Sequence, residues 1–333
     1  MPQKNLPFAI FLTYRKFTCM HQLPPHPSRS ALTFCLAGAT LLCLFPAGAP
    51  AQAAPPPSVD AAALVRRAVA TRLAADAAPQ PFRFVFHKRD ERRDFTQQFI
   101  QTRQGDVALT IAANGRPLGP AGRQAQIDRL DNLAAHPDLQ QHRHKREMED
   151  AARVDRLLRE LPDAFLYHED SVVPCTATAP PFIPLPGDPL PPPASEPAPV
   201  AQCYHLTFTP NPRFTPPDAE SRILTGMAGE VWIETSHERL VRLTARVIAE
   251  VEFGWGIIGR LDKGGTILLE QTDVGNDNWQ LTRMNLNLTG KALLVKSLTF
   301  RITEEMSRFS PVPADLDYRK AIQMLLAEQP PAP

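Results

Sequence analysis

The chain has 333 residues, enough for one large domain or two small ones with a sizeable core. Its 36 Lys and Arg nearly balance 35 Asp and Glu. The first 53 residues hold four basic residues (Lys4, Arg15, Lys16, Arg29) and no acidic one, so the remainder carries 32 basic against 35 acidic. Such a near-neutral, slightly acidic chain is poorly suited to a phosphate backbone, and nucleic acid is set aside as a partner.

In chain order, the first signal is an export signal. Arg29 precedes the apolar run Ala31–Phe45, and Ala51-Gln52-Ala53 supplies small residues at the −3 and −1 positions. A basic flank, a short apolar core and an A-x-A site have the form of a secretory signal peptide spanning residues 1–53, with cleavage near Ala53. The alternative is a membrane anchor, but an apolar run closed by Pro46 falls short of the ~20 residues that span a bilayer. Cys43 follows Leu42 and Cys35 follows Phe34, so neither has the small preceding residue of a lipoprotein signal. The stretch before Met20 is surplus to such a signal, which makes Met20 a candidate start. The expected location is periplasmic or secreted, with no transmembrane segment in the mature chain.

After a Pro/Ala leader, Ser58 or Asp60 can cap a helix over 61–73, whose Leu64, Val65, Ala68 and Val69 form one apolar stripe. The period then changes. Phe82, Phe84 and Phe86 alternate with Arg83, Val85 and His87, which predicts a strand with one aromatic face. Further strands follow at 95–102 and 107–111, the latter turning at Asn114-Gly115, a favoured hairpin dipeptide. Residues 121–160 are charged and helical in propensity, broken near His136-Pro137, with Pro162 expected to stop the helix after Leu161. A short strand is expected at 164–168.

Residues 180–199 contain ten prolines and can only be an extended, solvated loop. Cys175 and Cys203 flank it. They are the two cysteines left after processing, and in an oxidising compartment such a pair predicts one disulfide. The bond would pin the two ends of a loop at 176–202, which argues for an insertion within one domain covering residues 54–333.

Beyond that loop the chain is almost wholly β. Tyr204, Leu206 and Phe208 alternate with polar residues, and Val231-Trp-Ile233 leads through a turn into a long strand. There Val241, Leu243, Ala245, Val247, Ala249, Val251 and Phe253 alternate with a row that only Ile248 breaks. More strands are expected at 266–274, 279–288 and 292–303, with turns at Gly254, Gly256, Gly264-Gly265 and Asn276, and a closing helix over 318–326. Short turns demand antiparallel neighbours. The predicted fold class is α+β: a curved antiparallel sheet, a half-barrel, with helices packed on its concave face.

From about Phe82 to Pro313 this pattern resembles the outer-membrane lipoprotein-sorting carriers, the LolA- and LolB-like half-barrels, and a group of secreted bacterial proteins placed with them. The likeness rests on Leu161-Pro-Asp-Ala-Phe165, Tyr204-His-Leu-Thr-Phe-Thr-Pro-Asn-Pro212 and Met227-Ala-Gly-Glu-Val-Trp-Ile233. It also rests on Val251-Glu-Phe-Gly254, Leu261-Asp-Lys-Gly-Gly-Thr266 and Glu270-Gln271 with Trp279. The Pro-rich insertion departs from the usual compact connection. The resemblance implies an unclosed barrel cradling an apolar cavity fit for a lipid, an acyl chain or a lipoprotein segment. Trp232, Phe253, Trp255, Leu268, Trp279 and Met284 are the candidate lining.

Residues that invite chemistry have plainer explanations. His142 and His144, two apart on a helix, point about 200° away from each other and cannot share an ion; zinc on a helix prefers i, i+4 spacing. Ser236-His237-Glu238 places hydrolase residue types side by side, without the strained elbow that a nucleophile needs. Glu250 and Glu252 share a strand face at glycosidase-like separation, yet alternate with apolar residues as a solvent face does. No catalytic residue, metal site or cofactor is therefore expected. The expectation is a non-enzymatic binding protein with a lipid or lipoprotein partner. The alternative is an envelope structural or stress-signalling protein that engages a protein partner through the Pro-rich loop.

Overall fold

The computed structural model describes residues 60–77, 79–175, 180–183, 185, 188, 201–253, 259–292 and 296–327. The leader 1–53, Trp255, Gly254 and Gly256 lie outside the described residues, as does most of the Pro-rich segment.

Helix α1 (Ala61–Ala77) starts where Asp60 Oδ1 accepts the Ala63 N–H at 3.0 Å, so Asp60 is the cap. Strands β1 (Phe82–Arg89), β2 (Asp94–Ile100), β3 (Val107–Ala113) and the short β4 (Arg116–Pro117) follow as hairpins. Asn114 and Gly115 both take positive φ (52° and 70°), as the predicted two-residue turn requires. Helices α2 (Pro120–Ala135) and α3 (Pro137–Ala164) are divided at His136, as the proline predicts.

Pro162 does not end α3. The helix runs two residues further: a proline φ is already helical, and the lost N–H and the crowding by the ring fall in its last turn. The chain then enters β5 (Phe165–Pro174), longer than expected, and returns as β6 (Gln202–Pro210). The Cys175–Cys203 disulfide forms, closing a separation of 28 residues. After a 3-10 turn (Ser221–Gly226) come β7 (Met227–Glu234) and β8 (Leu240–Val247).

The single long strand expected up to Phe253 is broken. β8 stops at Val247, and a separate strand β9 (Val251–Phe253) pairs with β10 (Gly259–Leu261). The N–H groups of Ile248 and Ala249 both turn to the Gly226 carbonyl, at 2.8 and 3.4 Å, so the chain bends there. Ile248, the one residue out of phase in the alternation, sits exposed at this corner. β11 (Thr266–Asp273), β12 (Trp279–Ala292), β13 (Lys296–Pro311) and α4 (Tyr318–Ala327) complete the chain.

The fold is α+β: one large, open antiparallel sheet of 13 strands, with helices packed on it. Its order is β4-β3-β2-β1-β13-β12-β11-β8-β7-β6-β5, while β9 and β10 join through β12. Register places adjacent residues of each strand in two rows on opposite faces. One row runs Leu206, Val231, Leu243, Leu269, Met284, and ends in Glu304 and Lys88. The other runs His205, Trp232, Arg242, Glu270, Arg283, Glu305, His87. Helices α1 and α3 cover the apolar row, burying Leu64, Val65, Ala68, Val69 and Leu157. Ile100 and Leu109 point to the other face, where α2 and α4 bury them with Leu130, Ile322 and Leu325.

Candidate functional site

Between α1, the last turns of α3 and the sheet lies a cavity of about 160 Å³. The helices contribute Ala68, Val69, Leu157 and Leu161; the sheet contributes Leu243, Leu269, Leu281 and Met284. These residues are brought together because strand alternation sends every second side chain to this face, while the α1 stripe repeats every three or four residues. Two polar side chains join the lining, Arg72 and Gln271. Arg72 continues the apolar stripe of α1 by one further turn, so helical geometry carries a guanidinium into the interior. Its Nε donates to Asp76 Oδ2 at 2.9 Å and its Nη1 to Gln271 Oε1 at 3.0 Å. Burial pulls the Arg72 guanidinium down from its ordinary value, and the Asp76 carboxylate opposes that shift.

Surface ion pairs fasten α1 over this cavity. Arg66 reaches Asp163 on α3 at 2.7 Å, and Arg67 meets both Glu238 oxygens in the β7–β8 turn, at 2.8 and 2.9 Å. Arg66, Asp163 and Arg67 are exposed and Glu238 is half-buried, so each pair contributes little, roughly 0–1 kcal/mol. Apolar packing carries the attachment.

Of the six predicted lining residues, Met284 alone lines this cavity. Phe253 belongs to the same hydrophobic core on β9, beyond the corner at Ile248. Trp232 and Leu268 are on the opposite face, because the register puts Leu243 and Leu269 inward and their chain neighbours outward. Trp232 stacks on the His205 ring, with centroids 4.7 Å apart, and carries the Arg242 guanidinium 5.2 Å from its ring. Trp279 is at the β11–β12 turn, its indole N–H donating to Asp277 at 2.9 Å. Trp255 lies outside the described residues. Composition draws attention to aromatics, whereas this cavity is lined largely by aliphatic side chains. The sequence signal for Arg72 and Leu161 was their phase on α1 and α3.

The opposite face bears a row of alternating charge. Glu270, with a side chain 5% exposed, lies between Arg242 (3.5 Å) and Arg283 (2.9 Å). Arg283 reaches Glu305 at 3.5 Å, Glu305 lies 3.7 Å from His87, and His87 meets Asp94 at 3.0 Å. Beside this row the sheet and the β1–β2 turn border an open trough of about 1060 Å³.

The other polar candidates are placed as follows. Ser236 and His237 donate backbone N–H groups to Glu234, forming a tight turn. His142 is exposed. Burial lowers the His144 pKa, with Asp106 opposing. Among the described residues, no group of three or more His, Cys, Asp or Glu side chains is arranged to hold a metal ion. Glu250 and Glu252 are exposed, and Glu250 lies 3.4 Å from Arg260.

No protein-family model matches this chain, and neither a curated protein nor a solved structure does.

Proposed function

We propose that this chain is a non-enzymatic binding protein of an oxidising compartment, the periplasm or the exterior. It holds an acyl chain or lipid segment between α1, α3 and the sheet. The observation that carries this reading is the aliphatic cavity of about 160 Å³, closed by two helices whose seal is mainly apolar. Filling the aliphatic part of it with hydrocarbon contributes about 0.8 kcal/mol per methylene. Ligand pockets generally span about 300–1,000 Å³, so the cavity as it stands suits a short segment, and a full acyl chain enters as α1 separates from α3. Arg72 and Gln271 give the cavity a polar end against which a carboxyl or ester group can be set.

The compartment rests on the Cys175–Cys203 disulfide, which oxidising surroundings preserve, and on the form of the leader. No helix among the described residues is long and apolar enough to cross a membrane. The resemblance of residues 82–313 to lipoprotein-sorting carriers supports the choice of cargo.

The test combines native mass spectrometry and lipid extraction of purified protein with displacement of a fluorescent fatty acid. The variant Ala68→Phe, which fills the cavity, is expected to abolish binding, and Leu157→Ala, which enlarges it, to strengthen binding. If no lipid accompanies the protein and Ala68→Phe binds the probe like the parent, the reading fails.

One observation favours a second reading, a protein partner at the Pro-rich segment. Phe182 is 49% exposed, yet it is held beneath the Arg308 guanidinium at 5.5 Å, while Ile183 is buried. Deleting residues 180–199 and repeating a pull-down separates this role from lipid binding, which should survive the deletion.

A further inference from the structure

The trough on the polar face has a chemistry unlike that of the apolar cavity, and no part of the lipid-binding reading uses it. Its floor is made of outward residues of β8, β11, β12 and β13, and the β1–β2 turn forms a wall. Register orders the floor. One row runs Arg246, Thr266, Asn287, Arg301; the next runs Thr244, Leu268, Asn285, Thr303, Arg89. Cations therefore stand at both ends of the first row and at the Arg89 end of the second, with hydroxyls, amides and Leu268 between them.

The charged groups in the trough divide into satisfied and free. Asp90 accepts the N–H groups of Arg92 and Arg93 at 2.9 and 3.0 Å and pairs with the Arg93 guanidinium. Glu230 lies 3.4 Å from His205, and Arg242 lies 3.5 Å from Glu270. Arg89, Arg246 and Arg301 make no ion pair among the described residues, and Glu91 is an exposed acid at the rim. Two buried atoms are also without a hydrogen-bond partner there: Asn285 Oδ1, an acceptor, and Arg242 Nε, a donor. Both residues line the trough.

Arg246 and Arg301 are three strand spacings apart, about 14 Å at ~4.8 Å per step. A single phosphate or monosaccharide cannot bridge that span. The occupant that satisfies the trough is extended, carries anionic groups for the guanidiniums, and brings hydroxyls to donate to Asn285 Oδ1 and to meet Thr244 and Thr266. Leu268 offers a small apolar patch in the middle of the floor. A polynucleotide is set aside because its dense phosphates reward clustered cations, whereas the chain beyond residue 53 has no excess of them and the trough lining includes Glu91 and Glu230. We propose that this trough binds an acidic oligosaccharide, a chain of hydroxylated sugar rings bearing carboxylates.

The experiment is isothermal titration of the purified protein with oligogalacturonate of four to six units, with neutral maltohexaose and inorganic pyrophosphate in parallel. Oligogalacturonate is expected to bind, and maltohexaose and pyrophosphate to bind at least about tenfold more weakly, since each lacks one half of the chemistry. Raising the salt from about 0.05 M to about 0.5 M should weaken the interaction, because exposed charges are screened. The variants Arg246→Gln and Arg301→Gln, both at exposed positions that leave packing intact, should each reduce affinity by roughly tenfold. Arg146→Gln, on the exposed side of α3, should leave it unchanged. The proposal is overturned if oligogalacturonate does not bind. It is overturned equally if maltohexaose or pyrophosphate binds as tightly, or if the two variants, verified as folded by circular dichroism, bind like the parent. Fatty-acid displacement in the same variants should be unaltered, which keeps this result separate from the fate of the apolar cavity.

Discussion

Arg283 Nη1 donates to Glu270 Oε2 at 2.9 Å across the β11–β12 pair, one step before Thr282 bulges out of register. The same carboxylate faces Arg242 from the strand on its other side, at 3.5 Å. Glu270 is thus the negative centre of a row reaching from Trp232 to Asp94. Replacing Glu270 with Gln leaves two guanidiniums facing each other. The arginine side chains are 29% and 27% exposed, so water offsets part of the loss. The expected destabilisation is roughly 1–3 kcal/mol, below the ~3–5 kcal/mol of a fully buried pair. A double-mutant cycle with Arg283→Gln, read by urea unfolding, should show coupling; strict additivity would remove the row as a cooperative unit.

Glu234 predicts the acid behaviour. Desolvation would push its carboxyl up, but the N–H groups of His237 and Ser236, at 2.8 and 2.7 Å, hold it below the usual glutamate value. A folded-state value below the unfolded one stabilises the fold above about pH 4.3, and that contribution is lost as pH falls through the folded value. Asp90, Asp218 and Asp277 are lowered as well and act in the same direction. Chemical denaturation between about pH 6 and pH 3 should show falling stability on acidification. Glu234→Gln should be less stable at neutral pH and should have a shallower acid slope.

Reduction of Cys175–Cys203 releases the β5–β6 end of the sheet. A closed loop of 28 residues contributes about 3–4 kcal/mol on the chain-entropy account. Guanidinium unfolding with and without dithiothreitol, and of the Cys175→Ser/Cys203→Ser variant, should shift by that order. Fatty-acid binding should persist, because neither cysteine lines the cavity.

Gly229 is a point of close approach. A Cβ there would stand 1.9 Å from the Thr244 carbonyl and 2.9 Å from the Phe208 ring, so the β7–β8 pair must part to admit it. Gly229→Ala should cost about 1–3 kcal/mol by overpacking, read as a lowered melting temperature. An unchanged melt would mean that the two strands lie further apart.

Much of the local structure is legible in the chain: the Phe82-Phe84-Phe86 alternation, the Asn114-Gly115 turn, and the break at His136-Pro137. These signals are readable because side-chain period, turn dihedrals and the missing proline N–H act within a few residues. The corner after β8 was not, because the alternation runs on to Phe253 through the place where the chain bends. Alternation told which residues of a strand share a face. It did not tell which face carries the cavity, and so Trp232 and Met284 were grouped although they lie on opposite sides.

That decision belonged to strand pairing over long separations. β13, near the end of the chain, lies beside β1, near its start, and Arg89 comes next to Thr303 as a result. No local pattern encodes such a partner, because the hydrogen bonds of a ladder are made by backbone groups common to every residue. The amino-acid order determined two-faced strands, a capped first helix and a cystine-closed loop. Only the folded chain decided that Arg72 would enter an aliphatic cavity, and that Arg89, Arg246 and Arg301 would share one trough.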